Sequence, residues 1–185
     1  VLGIVGLAVL GTTPFVSCSH LAIERQRGAS VALAIVLDDS LTMRAKLPSG
    51  VTRFEHARKA ALDLVDASRT GDVLAVVLAG DVPRVALAPT SDLALARATL
   101  ERATESDRAS DLEGATALAR DLVAAAPHRD RRVVLLSDLR DGQPGAPPLT
   151  GDDEVTLWAP LAELGGDVEG DCALLAAARS GARGQ

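Results

Sequence analysis

The chain contains very few aromatic side chains: two phenylalanines, one tryptophan and no tyrosine among 185 residues. A core built mainly from large aromatic rings is therefore excluded. Hydrophobic residues still make up 48% of the chain and charged residues 24%, which is enough apolar material for a substantial core. We expect aliphatic packing, in which helices rich in alanine and leucine cover strands rich in valine and leucine.

Cysteine and net positive charge are also scarce. The two cysteines, Cys18 and Cys172, have neither C-x-x-C nor zinc-type spacing, and whether they are free, lipidated or paired stays open. The 19 basic residues are outnumbered by 25 acidic residues, which gives a formal net charge of −6. Because binding to phosphate backbones requires a basic surface, we exclude nucleic acid as a partner.

The amino-terminal segment has no charged residue between positions 1 and 16 (VLGIVGLAVLGTTPFV). A membrane-spanning helix requires about 20 apolar residues, so this run is slightly short unless further apolar residues precede it. We predict a hydrophobic membrane-anchor helix at residues 1–18 and a linker at residues 19–29. A signal-peptide or lipoprotein segment ending at Cys18 and a buried core helix are the alternatives.

From residue 30 onward, strand-like runs alternate with helical patterns. Continuous apolar runs predict buried parallel strands, namely residues 30–38, 73–80 and 131–138. Apolar residues at helical spacing predict helices, namely residues 53–68, 91–103 and 111–126. Less regular runs predict three further strands, namely residues 82–89, 154–160 and 172–179. This alternation predicts an α/β domain over residues 30–180, with a doubly wound, mostly parallel sheet flanked by helices.

Local signals refine the ends of these elements. Thr52 and Glu55 have the spacing of a capping box for the first helix, and Ser91 or Thr90 is the expected cap of the second. Pro83 cannot donate a hydrogen bond to a neighbouring strand, so we place the strand at residues 82–89 at a sheet edge.

Oxygen-bearing side chains follow two of the buried strands. The first strand ends in DDSLT, and a later strand ends in LLSD. Open parallel sheets bind ligands outside the carboxyl ends of their strands, so we expect these side chains to meet there. Carboxylates and hydroxyls in low number suit Mg²⁺, although Mn²⁺ or Ca²⁺ would use the same donors. We call the candidate metal ligands the oxygen set: Asp38, Ser40, Thr42, Ser110 and Asp138.

Three segments in this order, DDSLT, ASDLEGA and LLSDLRDG, resemble the von Willebrand factor A (vWA) domain with its metal-ion-dependent adhesion site. The resemblance covers about residues 30–142. It implies a Rossmann-like fold, Mg²⁺ at the oxygen set, and a protein partner whose acidic side chain completes the ion's ligand shell. Leu41 replaces a common glycine, and Thr42 and Ser110 each exchange one hydroxyl residue for the other. The donor oxygens are nevertheless kept.

The apolar leader, the charged segment LAIERQRG and the domain after it are together similar to membrane-anchored bacterial proteins of the BatA/aerotolerance type. This resemblance implies attachment to a bacterial inner membrane through the amino-terminal segment and cooperation with a MoxR-type ATPase. The side of the membrane that the domain faces stays open, because the upstream flank is not visible.

Enzymatic alternatives have less support. None of the three histidines lies in a recognisable nucleophile motif, which argues against a Ser–His–Asp hydrolase. The segment DDSLT resembles the D-x-D-x-T motif of phosphatases of the haloacid dehalogenase type, but Ser40 stands where the proton donor would be. That chemistry also needs a later lysine to hold the phosphoryl charge, and no lysine follows Lys59. We therefore predict a binding module and not an enzyme. A vWA-fold scaffold with an empty, degenerate metal site is the second hypothesis.

Overall fold

The computed structural model describes residues 30–139 and 155–158, and they form a mixed sheet flanked by helices. The strands are β1 (Val31–Leu37), β2 (Val73–Leu78), β3 (Arg84–Thr90), β4 (Asp130–Leu136) and β5 (Thr156–Trp158). The helices are α1 (Arg53–Ala67), α2 (Leu93–Arg102) and α3 (Leu112–Ala124), and a 3-10 turn spans Leu41–Arg44. The predicted α/β fold is confirmed.

Strand order brings the two predicted aspartate-bearing strand ends together. The order across the sheet is β3-β2-β1-β4-β5, with β1 parallel to both β2 and β4, and β4 parallel to β5. Leu37 at the end of β1 is paired with Leu136 at the end of β4, and the Asp38 amide donates to the Leu136 carbonyl at 3.1 Å. Asp38 and Asp138 therefore follow neighbouring strands at the carboxyl-terminal end of the sheet.

The strand β3 lies at the edge of the sheet, as Pro83 predicts, and it runs antiparallel to β2. Pro83 immediately precedes the strand, where its missing amide hydrogen costs no ladder hydrogen bond. The described sheet is therefore mostly parallel, with one antiparallel edge strand that follows β2 after a short turn.

The core has two layers that differ in side-chain size. On one face β1 presents Val31, Leu33, Ile35 and Leu37, which pack with residues of α1 and α2. On the other face β1 presents Ala32, Ala34 and Val36, which pack with residues of α3. Because side chains alternate along a strand, one apolar run supplies both layers. The alanines allow α3 to approach the sheet closely, and the expected aliphatic core is confirmed.

Helix caps agree with the sequence in α1 but not in α2. The Glu55 amide donates to Thr52 Oγ1 at 3.0 Å, and the Thr52 amide donates to Glu55 Oε2 at 2.9 Å, which is the predicted capping box. The prediction of Ser91 or Thr90 as the cap of α2 is wrong. β3 continues through Thr90, so the helix starts later, and Asp92 accepts from the Leu95 amide at 2.9 Å.

Several predictions lie outside the described residues. They are the anchor at residues 1–18, the linker at 19–29, the strand at 172–179 and the state of Cys18 and Cys172. Within residues 30–139 and 155–158, no helix has the length and apolarity needed to cross a bilayer. The membrane anchor therefore stays a prediction, as does the carboxyl-terminal limit of the domain at residue 180.

Candidate metal centre

The loop after β1 folds back on itself and brings two hydroxyls together. Asp38 Oδ1 accepts a hydrogen bond from the Ser40 amide at 2.9 Å, which turns the chain directly after the strand. The 3-10 turn then places Thr42 Oγ1 3.1 Å from Ser40 Oγ. Asp38 and Ser40 are both buried, so these polar atoms have to find partners inside the protein.

Hydrogen bonds continue from this loop to the end of β4. Thr42 Oγ1 donates to Asp138 Oδ1 at 3.2 Å, and Ser137 Oγ donates to Asp38 Oδ2 at 2.6 Å. Four members of the oxygen set, Asp38, Ser40, Thr42 and Asp138, therefore belong to one hydrogen-bonded cluster. Ser137, which is not among the predicted site residues, joins the two aspartate-bearing segments.

Ser110, the fifth member of the oxygen set, lies in the segment between α2 and α3. That segment is attached to the β1 loop, because the Ser106 amide donates to the Asp39 carbonyl at 2.6 Å and the Leu41 amide donates to the Arg108 carbonyl at 2.8 Å. The Ser110 hydroxyl is buried and has no hydrogen-bond partner in the part of the chain that the structure describes. It is therefore outside the hydrogen-bonded cluster and keeps its bonding capacity.

The ionised form of the Asp38 side chain is unfavourable in its buried position. The pKa of Asp38 is raised from 3.8 to about 6, chiefly because the carboxyl group is buried; hydrogen bonds from Ser137 and Ser40 lower it and the nearby charge of Asp138 raises it, and all of these are included in that value. A positive charge placed beside Asp38 would favour the ionised form. The environment of this carboxyl group therefore favours binding of a cation.

Asp138 already has a cationic neighbour. Arg53 Nη1 donates to Asp138 Oδ2 at 2.5 Å, and both side chains are fully buried. Arg53 is the first residue of α1 and is not among the predicted site residues. A basic side chain in the first turn of a helix opposes the helix dipole, which makes Arg53 unusual in the sequence, but nothing near it in the sequence identifies Asp138 as its partner.

Asp39, the second aspartate of DDSLT, is directed to a different partner. Its Oδ2 accepts from Arg84 Nη2 on β3 at 2.8 Å, and the side chain is buried while that of Arg84 is 55% exposed. This pair ties the β1 loop to the sheet edge. Asp39 is therefore not part of the hydrogen-bonded cluster, in agreement with its omission from the oxygen set.

The donor chemistry fits a hard divalent cation. Two carboxylates and three hydroxyls provide only oxygen, which Mg²⁺ prefers. Among residues 30–139 and 155–158, no three His, Cys, Asp or Glu side chains form a group that could hold a metal. An ion here would depend on hydroxyls and water, and the unbonded Ser110 hydroxyl together with the high pKa of Asp38 are the features that it would relieve.

The order of these segments also matches a known family. The family model of the von Willebrand factor type A domain matches residues 33–143. The chain belongs to the von Willebrand factor type A domain family. The resemblance inferred from DDSLT, ASDLEGA and LLSDLRDG is thereby confirmed at the level of the family, and the described part of the chain is a vWA domain.

Solved structures agree with this fold. The three N-terminal domains of the type V pili tip protein Mfa5 from Porphyromonas gingivalis match at 19% identity and a TM-score of 0.50, over 58% of this chain and 19% of that one. Proximal thread matrix protein 1 from the mussel byssus matches at 15% identity and a TM-score of 0.56, over 71% and 37%.

An aerotolerance-related membrane protein from Bacteroides fragilis is also similar, at 22% identity and a TM-score of 0.47, over 58% of this chain and 53% of that one. The vWA chain thus spans about half or less of the length of each of these three proteins. No curated protein matches it.

Proposed function

We propose that this vWA domain binds a protein partner through Mg²⁺ held by the oxygen set. The ion would keep water in its remaining positions until an acidic side chain of the partner replaces one of them. The proposal depends most on one observation, the hydrogen-bonded cluster of Asp38, Ser40, Thr42 and Asp138. This cluster brings oxygen donors from two separate segments together at the carboxyl-terminal end of the sheet. When bound, the ion supplies a positive charge that attracts a carboxylate.

The surface next to this cluster supports contact with a protein. Leu41 lies between Ser40 and Thr42 in the sequence and is 53% exposed, and Leu139 directly follows Asp138 and is 40% exposed. Leu139 has a φ of 57°, a conformation that costs a residue with a side chain about 1–2 kcal/mol. Exposed apolar side chains beside a polar centre suit a partner that contributes both an acidic and an apolar group.

The membrane and ATPase connections are part of the same proposal. The uncharged run at residues 1–16 would tether the domain to a bacterial inner membrane. A MoxR-type ATPase system is the expected partner, as the BatA-type architecture implies. These two elements depend on the resemblance, whereas the metal-dependent contact depends on the oxygen set itself.

The metal part is tested by calorimetric titration and thermal unfolding of the full chain with Mg²⁺. An ion at 100 times its Kd stabilises the folded state by about 2.7 kcal/mol, so the melting temperature should rise by several degrees and fall again with EDTA. Asp38→Ala should abolish the effect. The control is Asp66→Asn, because Asp66 is exposed and lies near the far end of α1, about 20 Å from its first residue. A wild-type chain that does not respond to Mg²⁺ would eliminate this function.

The partner's carboxylate is tested with acetate as the probe. We expect acetate to lower the water proton relaxation rate of the Mn²⁺-loaded chain, because it replaces a water molecule on the ion. An unchanged rate at saturating acetate would contradict an open coordination position. Asp38→Ala, which should not retain Mn²⁺, provides the background rate.

A scaffold that uses no metal is the second candidate. The pairs Arg53–Asp138 and Arg84–Asp39 favour it, because they neutralise two of the three buried aspartates near the site without an ion. Such a scaffold would show the same melting temperature in Mg²⁺ and in EDTA. We propose no catalytic activity, and turnover of a generic phosphate ester that disappears in Asp38→Asn would contradict this.

A further inference from the structure

The two oxygens of the Asp138 carboxylate accept hydrogen bonds from different side chains. Its Oδ1 accepts from Thr42, on the side of the oxygen set, and its Oδ2 accepts from Arg53 at 2.5 Å. The guanidinium and any ion bound by Asp138 would therefore share one carboxylate. Two positive charges bound to one carboxylate are only a few ångströms apart. They repel each other strongly, since the protein interior screens them less than water does.

We infer that Arg53 is a resident counter-cation of this site, which stabilises the metal-free vWA domain and lowers its affinity for a divalent cation. The inference rests on the proposed function, because it concerns the same oxygen set. It differs from a positioning role, in which Arg53 would orient Asp138 for the metal and would raise the affinity.

The burial of Arg53 is explained by charge and not by a full set of hydrogen bonds. Its Nη1 contacts Asp138 and lies 3.5 Å from the Thr42 carbonyl oxygen. Its Nε and Nη2 are buried and have no hydrogen-bond partner among the described residues. Leaving such donors without partners is unfavourable, so neutralisation of the Asp138 carboxylate is the interaction that accounts for an arginine in this position.

A thermodynamic cycle gives the direction of the effect. Without metal, loss of Arg53 leaves the buried Asp138 carboxylate without this counter-charge, which strongly destabilises the folded state. With metal bound, the ion itself neutralises the carboxylate, so the same loss costs less. Removing Arg53 must then raise the affinity for the ion by the difference between the two costs. Coulomb repulsion over a few ångströms at an effective dielectric constant of about 20 corresponds to more than a tenfold change in Kd.

The experiment compares Mn²⁺ binding to the full chain, by calorimetry and electron paramagnetic resonance, in wild type and three variants. We expect Arg53→Gln to bind Mn²⁺ at least tenfold more tightly than wild type and to melt at a lower temperature without metal. Arg53→Lys keeps the charge and should stay within threefold of wild type. Arg97→Gln removes an exposed arginine from α2 and should have no effect on affinity.

The outcomes separate this inference from the proposed function. If wild type binds Mn²⁺ and Arg53→Gln binds it equally or more weakly, the inference is overturned while the proposed function stands. If Arg53→Gln binds and wild type does not, the inference stands and the proposed function fails. If neither binds, both fail.

A folding defect would also decide the question. If Arg53→Gln unfolds without metal, the inference expects Mn²⁺ to restore its circular dichroism spectrum to that of wild type. A chain that stays unfolded at saturating Mn²⁺ would overturn the inference, because the ion would then be unable to replace the arginine.

Discussion

Replacing Asp38 by asparagine should make the metal-free vWA domain more stable at pH 8. Burial raises the pKa of Asp38 from 3.8 to about 6, so the folded state binds this proton more tightly than the unfolded state does. The contribution of Asp38 to stability is therefore full below pH 3.8 and is lost as the pH rises through about 6. Above that range the metal-free fold carries the cost of a buried charge, and Asp38→Asn removes it.

The magnitude follows from the pKa difference. A shift of roughly two pH units corresponds to about 3 kcal/mol, at 1.36 kcal/mol per unit. The amide retains an acceptor for the Ser40 amide, but it replaces the oxygen that accepts from Ser137, which costs about 1 kcal/mol. We expect a net gain of about 1–2 kcal/mol in the free energy of unfolding at pH 8.

Urea unfolding in EDTA at pH 8 and at pH 4 measures this gain. The gain should be present at pH 8 and absent at pH 4, because Asp38 is protonated in the folded state at the lower pH. The control is Asp66→Asn, which removes an exposed carboxylate and should change stability by less than about 1 kcal/mol at either pH. A variant that is less stable than wild type at pH 8, or equally altered at both pH values, would refute the reasoning.

Three further substitutions, one of them with a matched control, test separate parts of the account. Ser110→Ala should leave the metal-free stability unchanged or raise it by about 1 kcal/mol, because it removes a buried hydroxyl without a described partner, yet it should weaken Mg²⁺ binding in calorimetry; a stability loss above that size would contradict this. Asp92→Ala should lower the urea-unfolding free energy by about 1 kcal/mol through loss of the α2 cap, whereas Ser91→Ala should not. Ala34→Leu should destabilise the domain by about 1–3 kcal/mol, because α3 packs closely on that face, and an unchanged unfolding midpoint would show that space is available there.

Most of the sheet could be predicted because its strands are buried on both faces. The continuous apolar run of β1 has no alternative to burial, and the same holds for β2 and β4. The capping box of α1 could be predicted equally well, since Thr52 and Glu55 are three positions apart and their contact depends on nothing distant in the sequence. The cap of α2 was missed because the extent of β3, and not the identity of Ser91, determines where that helix begins.

The oxygen set could be predicted as a group because parallel strands have their carboxyl ends on the same side of the sheet. The contact of Arg53 with this set could not be predicted, because the pair Arg53–Asp138 joins residues 85 positions apart. Such a contact depends on how α1 packs against the sheet, which local patterns do not contain. Ser137 was missed for a similar reason: its bond to Asp38 crosses between β4 and β1 and exists only after the two strands pair.

The most direct test of the central claim is the anomalous diffraction of crystals grown with saturating Mn²⁺. The account predicts one manganese peak at the carboxyl ends of β1 and β4, beside Asp38, Ser40 and Thr42. Side-chain oxygens bound directly should lie at about 2.1–2.2 Å from the ion, and any other of these side chains should be hydrogen-bonded to a water molecule on the ion. A peak elsewhere on the domain, or no peak at this edge of the sheet, would contradict it.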